Sequence, residues 1–214
     1  MSQVINLQKK QVINLSKHKP GLSRVCVGVN WGQVLREQNV GGFLGFGSRT
    51  EMKPTPVDLD ISAGLLDASG SPVHSPVCYY NHDEPGLHHS GDDLEGDVVN
   101  DGIDNEVIEI DFSRVSANVS HIPVVLNDFR RELKNFGELP HLEIRIYEGT
   151  PTRVDNVIAT FNIKNNEDLN NAQAVVLGNF SRVNGEFQFE AIGKSEPNTR
   201  LEDLIQRGFK IASK

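Results

Sequence analysis

A chain of 214 residues with 37% hydrophobic content can bury a core without disulfide staples, and its polar stretches are too short for extensive disorder. Its net charge of -8 and pI near 5.4 argue against a nucleic-acid binder, which needs a clustered basic face. No apolar run approaches the roughly 18–20 residues that span a bilayer, and the N-terminus has no signal-peptide core, so a cytoplasmic protein is expected.

The chain opens on a direct repeat, Gln3-Val4-Ile5-Asn6-Leu7 and Gln11-Val12-Ile13-Asn14-Leu15. Each unit reads as a short strand, and the two form either an edge hairpin or the starts of separate sheets. Arg24 to Trp31 is a third strand, with Val25, Val27 and Val29 on one face. The Gly/Phe run from Gly41 to Thr50 reads as a hairpin tip, because Pro54 and Pro56 stand where a phosphate cradle would need a helix. Val57 to Asp67 is a strand that sets Asp58 and Asp60 on one side, about 7 Å apart. Two adjacent acids on a strand either face water at an edge or share a cation. After a turn over Ala68 to Pro72, a strand from Pro76 to Asn81 ends on an amide oxygen suited to a hard ion. His82, His88 and His89 lie around Pro85 and Gly86, which break any helix, and hard oxygen donors outnumber them, so zinc is disfavoured. Cys26 and Cys78 stand in apolar settings typical of buried free thiols.

The acidity is local. Gly91 to Glu106 carries seven carboxylates and no basic residue. Carboxylates this close repel one another unless water or a metal neutralises them, which suggests a hard-cation site. An EF-hand does not fit: counted from Asp93, Val98 takes the glycine position and Asp104 the glutamate position, and a strand follows. Further strands are expected at Val107 to Val115, His121 to Asn127, His141 to Glu148, Asn156 to Ile163, Ala172 to Arg182 and Glu186 to Ile192. Asn184-Gly185 joins the last two. A short helix is expected over Asp128 to Phe136. A second follows the capping-box form Thr199-Arg200-Leu201-Glu202, with Leu201, Leu204, Ile205 and Phe209 on its apolar face. The fold class is therefore all-β, a two-sheet β-sandwich with a few short helices, one of them C-terminal. A single domain is expected, with its core over about residues 3–193 and a helical tail at 198–210.

Several segments then carry a resemblance in order along nearly the whole chain. They are Asn14-Leu15-Ser16-Lys17, Val27-Gly28-Val29-Asn30-Trp31, Val57-Asp58-Leu59-Asp60-Ile61-Ser62-Ala63 and Tyr80-Asn81. His89-Ser90-Gly91-Asp92-Asp93, Gly96-Asp97, Asp101-Gly102-Ile103-Asp104-Asn105-Glu106, Asn135-Phe136-Gly137, Ile144-Arg145 and Phe180-Ser181-Arg182 complete them. With them the chain resembles the TerD-domain family of tellurium-resistance and stress-response proteins. The resemblance implies a β-sandwich that binds calcium through the Asp-x-Asp strand and the acidic loop. The ligands it implies are Asp58, Asp60, Asn81, Asp92, Asp93, Asp97, Asp101, Asp104 and Glu106, enough oxygens for two ions. It implies a non-enzymatic sensor, scaffold or assembly subunit whose partners are other proteins of the same stress system, some membrane-associated. Two other classes stand beside it. One is a calcium-dependent lipid adaptor inserting Phe43, Leu44 and Phe46; the other is a metal-dependent hydrolase using His82 or His89.

Overall fold

The computed structural model of the chain describes residues 5–6, 11–14, 21–40, 49–162 and 170–213. In chain order its elements begin with β1 (Ile5–Asn6), β2 (Val12–Asn14), β3 (Arg24–Trp31), β4 (Val34–Val40), β5 (Arg49–Thr55), β6 (Leu59–Leu66) and β7 (Pro72–Val77). There follow β8 (Asp83–Glu84), β9 (Leu87–His89), β10 (Glu106–Asp111), β11 (His121–Asp128), β12 (Leu142–Thr150), β13 (Arg153–Asn162), β14 (Ala174–Val183), β15 (Glu186–Glu196) and helix α1 (Leu201–Ala212). One sheet has the order β1-β13-β12-β3-β10-β9-β8 and the other β2-β15-β14-β11-β6-β7. Apolar residues of both, among them Val25, Val27, Ile108, Ile61, Ile122 and Phe180, merge in one buried cluster between them. This is the expected sandwich.

Period-two alternation decides which side chains enter that core. On β3, Val25, Val27, Val29 and Trp31 point inward, whereas Cys26 packs with Val107 and Tyr147 on the outer face of the first sheet. On β6, Leu59, Ile61, Ala63 and Leu65 point inward. Leu66 lies on the opposite face, in the cluster formed with Leu204 and Ile205 of α1. Asp60 and Ser62 alternate with the inward residues and so share that outer face. The N-terminal repeat resolves into separate sheets: β1 pairs in parallel with β13, and β2 pairs antiparallel with β15. Both cysteines are buried and free, and burial with the nearby Glu109 pushes the Cys26 thiol up to about 12.

Four expectations need correction or placing. The strand expected at Pro76 to Asn81 is instead Pro72–Val77, and the chain turns afterwards, with Cys78 and Asn81 exchanging backbone hydrogen bonds of 3.0 and 3.1 Å. Pro72 and Pro76 are tolerated because β7 is the edge of its sheet, where a missing N–H costs no ladder bond. No helix forms over Asp128 to Phe136. There the Asp128 carboxylate accepts the Leu133 N–H at 2.8 Å and competes with helical bonding, and only a 3₁₀ turn, Phe136–Glu138, follows. The capping box is also unmade: α1 starts at Leu201 with Arg200 as N-cap and no side-chain cap, while Thr199 Oγ1 reaches Asp203 at 3.4 Å. The Gly/Phe run joins a hairpin, β4 paired with β5, but residues 41–48, including Phe43, Leu44 and Phe46, lie outside the described residues. Among the described residues no helix is long and apolar enough to cross a membrane.

Helix α1 covers the outer face of the second sheet at Leu66, Val125, Ala174, Val176 and Ile192. Leu204 is fully buried in that contact. Leu204→Ala is expected to cost about 2–4 kcal/mol through lost burial and the cavity left behind. A lower urea midpoint with an unchanged denaturant slope checks it.

Candidate metal centre

Asp58 immediately precedes β6 and Asp60 lies in it, so alternation turns both carboxylates to one side. The acidic loop brings Asp92 over them, and one oxygen from each of Asp58, Asp60 and Asp92 lies within 4.8 Å of the others. Asp58 and Asp60 are 1% and 3% exposed, whereas Asp92 reaches solvent. Neither oxygen of Asp58 accepts a hydrogen bond from a described residue. Arg130 Nε stands 2.9 Å from Asp58 Oδ2, but outside hydrogen-bonding geometry. Burial pushes the Asp58 carboxyl up to about 6; Arg130 opposes this, and Asp92 and Glu106 add to it. Burial pushes Asp60 up further, to about 8, with Glu106, Asp58 and Asp92 all adding repulsion.

The loop is held in place by the end of β3. Trp31 Nε1 donates to the Val57 carbonyl at 2.8 Å, and the Trp31 carbonyl accepts the Asp97 N–H at 2.9 Å. Gly96 lies against the indole at φ +71°, where an added Cβ would stand 2.4 Å from Nε1. Val57 N–H in turn donates to the Glu95 carbonyl at 3.0 Å. One buried tryptophan thus ties the Asp-x-Asp segment to the loop that faces it.

The remaining residues expected as ligands have other partners. Asp93 Oδ1 accepts the Glu95 and Gly96 N–H groups, both at 2.9 Å. The Asn105 amide nitrogen bridges Asp93 Oδ2 and Asp97 Oδ1 at 3.0 and 3.1 Å. Asn30 Nδ2 donates to Asp97 Oδ2 at 3.1 Å, and also to the Ile103 carbonyl. Asp101 closes a turn by accepting the Ile103 N–H at 2.8 Å. Asp104 lies on the outer face of the first sheet: it covers Gly28, where a Cβ would stand 2.0 Å from its Oδ2, and pairs with Arg145 Nε at 3.0 Å. Asn81 donates through Nδ2 to Pro76 O and Glu84 Oε1, both at 3.0 Å, in the turn after β7.

Glu106 is fully buried and joins the two sheets. Beyond Ala63, β7 no longer pairs with β6. In its place Glu106 Oε2 accepts the Ile61 N–H at 2.9 Å, and Oε1 accepts the Asp93 N–H at 3.2 Å. His89 Nε2 lies 3.2 Å from the Ile61 carbonyl, which can only accept, so Nε2 carries the proton and Nδ1 takes the Gly91 N–H. Burial raises the Glu106 carboxyl, and the His89 ring at 3.5 Å opposes the shift. No role is assigned from sequence to Asn30, Asn105 or Arg145, which stand only within segments of the resemblance, or to Arg130. Only their long-range partners identify them.

What the three carboxylates can hold follows from their chemistry. The set is all hard oxygen, without thiolate or imidazole, and one member has two buried oxygens with nothing to accept. That fits a hard divalent cation and not zinc or copper.

Comparison with known proteins agrees with the fold. The family described as TerD domain matches residues 3–207. The chain is 29% identical over 212 residues to stress response protein SCP2 of Bacillus subtilis (strain 168), covering 95% of this chain and 98% of that protein. It is 26% identical over 202 residues to tellurium resistance protein TerZ of Serratia marcescens, covering 94% and 95%. Its backbone matches the crystal structure of a homologue of telluride resistance protein (TerD) from Streptomyces coelicolor A3(2) with a TM-score of 0.64 at 19% identity, over 88% of this chain and 98% of that one.

The carboxyl shifts set a pH dependence. Asp60 and Asp58 hold their protons more tightly when folded, so their stabilisation of the ion-free fold is full below about pH 4 and is lost as pH rises through about 6 and 8. In chelator, Asp60→Asn is therefore expected to be more stable than wild type at pH 8, by several kcal/mol, with the gap closing toward pH 4. Urea midpoints at both pH values check the sign.

Proposed function

The chain belongs to the TerD domain family, and from that membership we propose that it is a calcium-binding, non-enzymatic stress-response protein of the tellurium-resistance type. It works in the cytoplasm as a sensor, scaffold or assembly subunit. The observation that carries calcium is the Asp58–Asp60–Asp92 cluster, with both Asp58 oxygens buried and unpartnered. Three carboxylates supply up to six oxygens, and water at the exposed Asp92 side completes the six to eight that calcium takes. This reading assigns one ion there. A second ion at Asp93 and Asp97 would have to displace the Asn105 amide between them.

A binding role also agrees with the surroundings of the candidate reactive groups. Reduction of an oxyanion would want an accessible thiolate, and burial raises both the Cys26 and Cys78 thiols. Acid–base hydrolysis through His89 would want a free ring nitrogen, and both of its nitrogens are engaged in the buried Glu106 network. The loop that carries Asp92 exposes Leu94, Val98, Val99 and Ile103. Such an apolar rim beside an ion suits docking to other proteins of the same stress system.

Calcium titration by calorimetry tests this reading. Wild type is expected to bind, and Asp58→Asn and Asp60→Asn to weaken binding at least tenfold. Calcium at about 100 times Kd should add roughly 2.7 kcal/mol of stability, seen as a rise in Tm that chelator reverses. No heat and an unchanged Tm in wild type would overturn it.

A further inference from the structure

The outer face of β6 continues from the carboxylates into an open cleft of about 320 Å³ beneath the start of α1. Asp60 and Ser62 line its floor, and Arg131 and Arg200 stand among its lining residues. Ser62 is 1% exposed, and its hydroxyl has no hydrogen-bond partner among the described residues. A buried hydroxyl left unpaired costs about 1–3 kcal/mol, so a partner from outside the chain is the economical explanation. Leu201 and Glu202, the first residues of α1, also line the cleft, and the helix start carries no side-chain cap. The Leu201 and Glu202 N–H groups and the positive end of its dipole are thus available to an anion. The Asp203 N–H already donates to the Arg200 carbonyl at 3.0 Å, and Glu202 and Asp203 place acids in the same turn. Arg200 pairs with Glu202 at 3.7 Å, but both are exposed, so the pair is weak and yields readily to a dianion. Along one wall, Tyr79 and Phe129 meet edge to face at 4.9 Å and offer an apolar surface for the carrier of the charged group.

Above about pH 8, where the ion-free Asp60 is a carboxylate, its charge on the floor repels such a ligand. A cation held by Asp58, Asp60 and Asp92 removes that repulsion and adds attraction.

We propose that this cleft binds a small soluble phosphate monoester, received by Arg131, Arg200, the start of α1 and the Ser62 hydroxyl beside the cation that Asp60 holds. The proposal rests on the calcium reading for its coupling to the ion. Its recognition elements belong to this chain alone.

The test is calorimetry at about pH 9, where the ion-free Asp60 is charged, on the full chain with phenyl phosphate as probe, calcium being titrated separately. Phenyl phosphate is expected to bind calcium-loaded wild type and to bind at least tenfold more weakly in chelator. Saturating phenyl phosphate should tighten calcium by the same factor, because coupling is reciprocal. The double variant Arg131→Gln/Arg200→Gln should lose at least tenfold for phenyl phosphate, and Ser62→Ala several-fold, with calcium binding measured alone unchanged in both. Asp60→Asn, which removes the floor charge, should bind phenyl phosphate without calcium. That last arm separates the two readings. If calcium fails to bind but Asp60→Asn takes phenyl phosphate, only the calcium reading falls. If wild type binds calcium, and neither it nor Asp60→Asn takes phenyl phosphate, only the cleft proposal falls. Equal binding by the double variant also overturns it. So does calcium-dependent pelleting with phosphatidic acid vesicles that phenyl phosphate does not compete away, which would place the phosphate chemistry on lipid and outside the cleft.

Discussion

Two carboxylates on neighbouring outward positions, Asp58 and Asp60, are held out of water with a third above them, and this constraint organises one end of the sandwich. Each pair of such charges at ~5 Å repels by about 3 kcal/mol at an effective dielectric of ~20. Asp92 is exposed and its share is screened. The only cation paired with Asp58 among the described residues is Arg130, itself half exposed, which offsets part of the remainder. The fold relieves this repulsion near neutral pH by holding a proton on Asp60, and above about pH 8 the end carries a deficit of positive charge of the kind a cation would remove.

The deficit persists because the surrounding structure is rigid. Trp31 is fully buried and fixes Val57 and Asp97 through two hydrogen bonds, so the Asp-x-Asp segment and the loop cannot drift apart to relieve repulsion. Behind them, Glu106 and His89 occupy the stretch of β6 edge that β7 leaves unpaired, and Glu106 also accepts the Asp93 N–H. A carboxylate in the loop's own sequence thus acts as a strut between the sheets. Removing its charge would change the field at Asp60, and removing its oxygens would release both the strand and the loop.

The sandwich was legible from alternation alone: Val25, Val27 and Val29 enter the core as period two requires, and most strand positions agree within a few residues. What alternation could not show was which proline-bearing stretch would be an edge, since Pro72 and Pro76 are acceptable only because nothing pairs on the far side of β7. The missing helix after Asp128 has a similar cause, a side chain that takes a backbone N–H a helix would have used. For the cluster, Asp58 and Asp60 were legible as neighbours from spacing, whereas the loop's acidity marked seven carboxylates without singling out Asp92, which only the resemblance named, among nine residues. The roles of Asn105 and Arg145 were not legible, although both stand in segments of the resemblance, because their partners lie 8 to 12 and 41 residues away.

The acidic loop shows why a count of carboxylates overstates a metal site. Aspartate is both a hard-ion ligand and the residue that best closes turns by accepting backbone N–H groups. Asp93 and Asp101 act in the second way, Asp97 is held by two asparagine amides, and Asp104 accepts from Arg145 through Oδ2 while its Oδ1 accepts no hydrogen bond among the described residues. Satisfied acceptors have little to gain from a cation, whereas Asp58, buried with two bare oxygens, has the most. On the proposed calcium reading, affinity at this end would be governed less by how acidic the loop is than by how completely β6 is denied water. The same denial leaves the Ser62 hydroxyl without a partner two residues further along the strand.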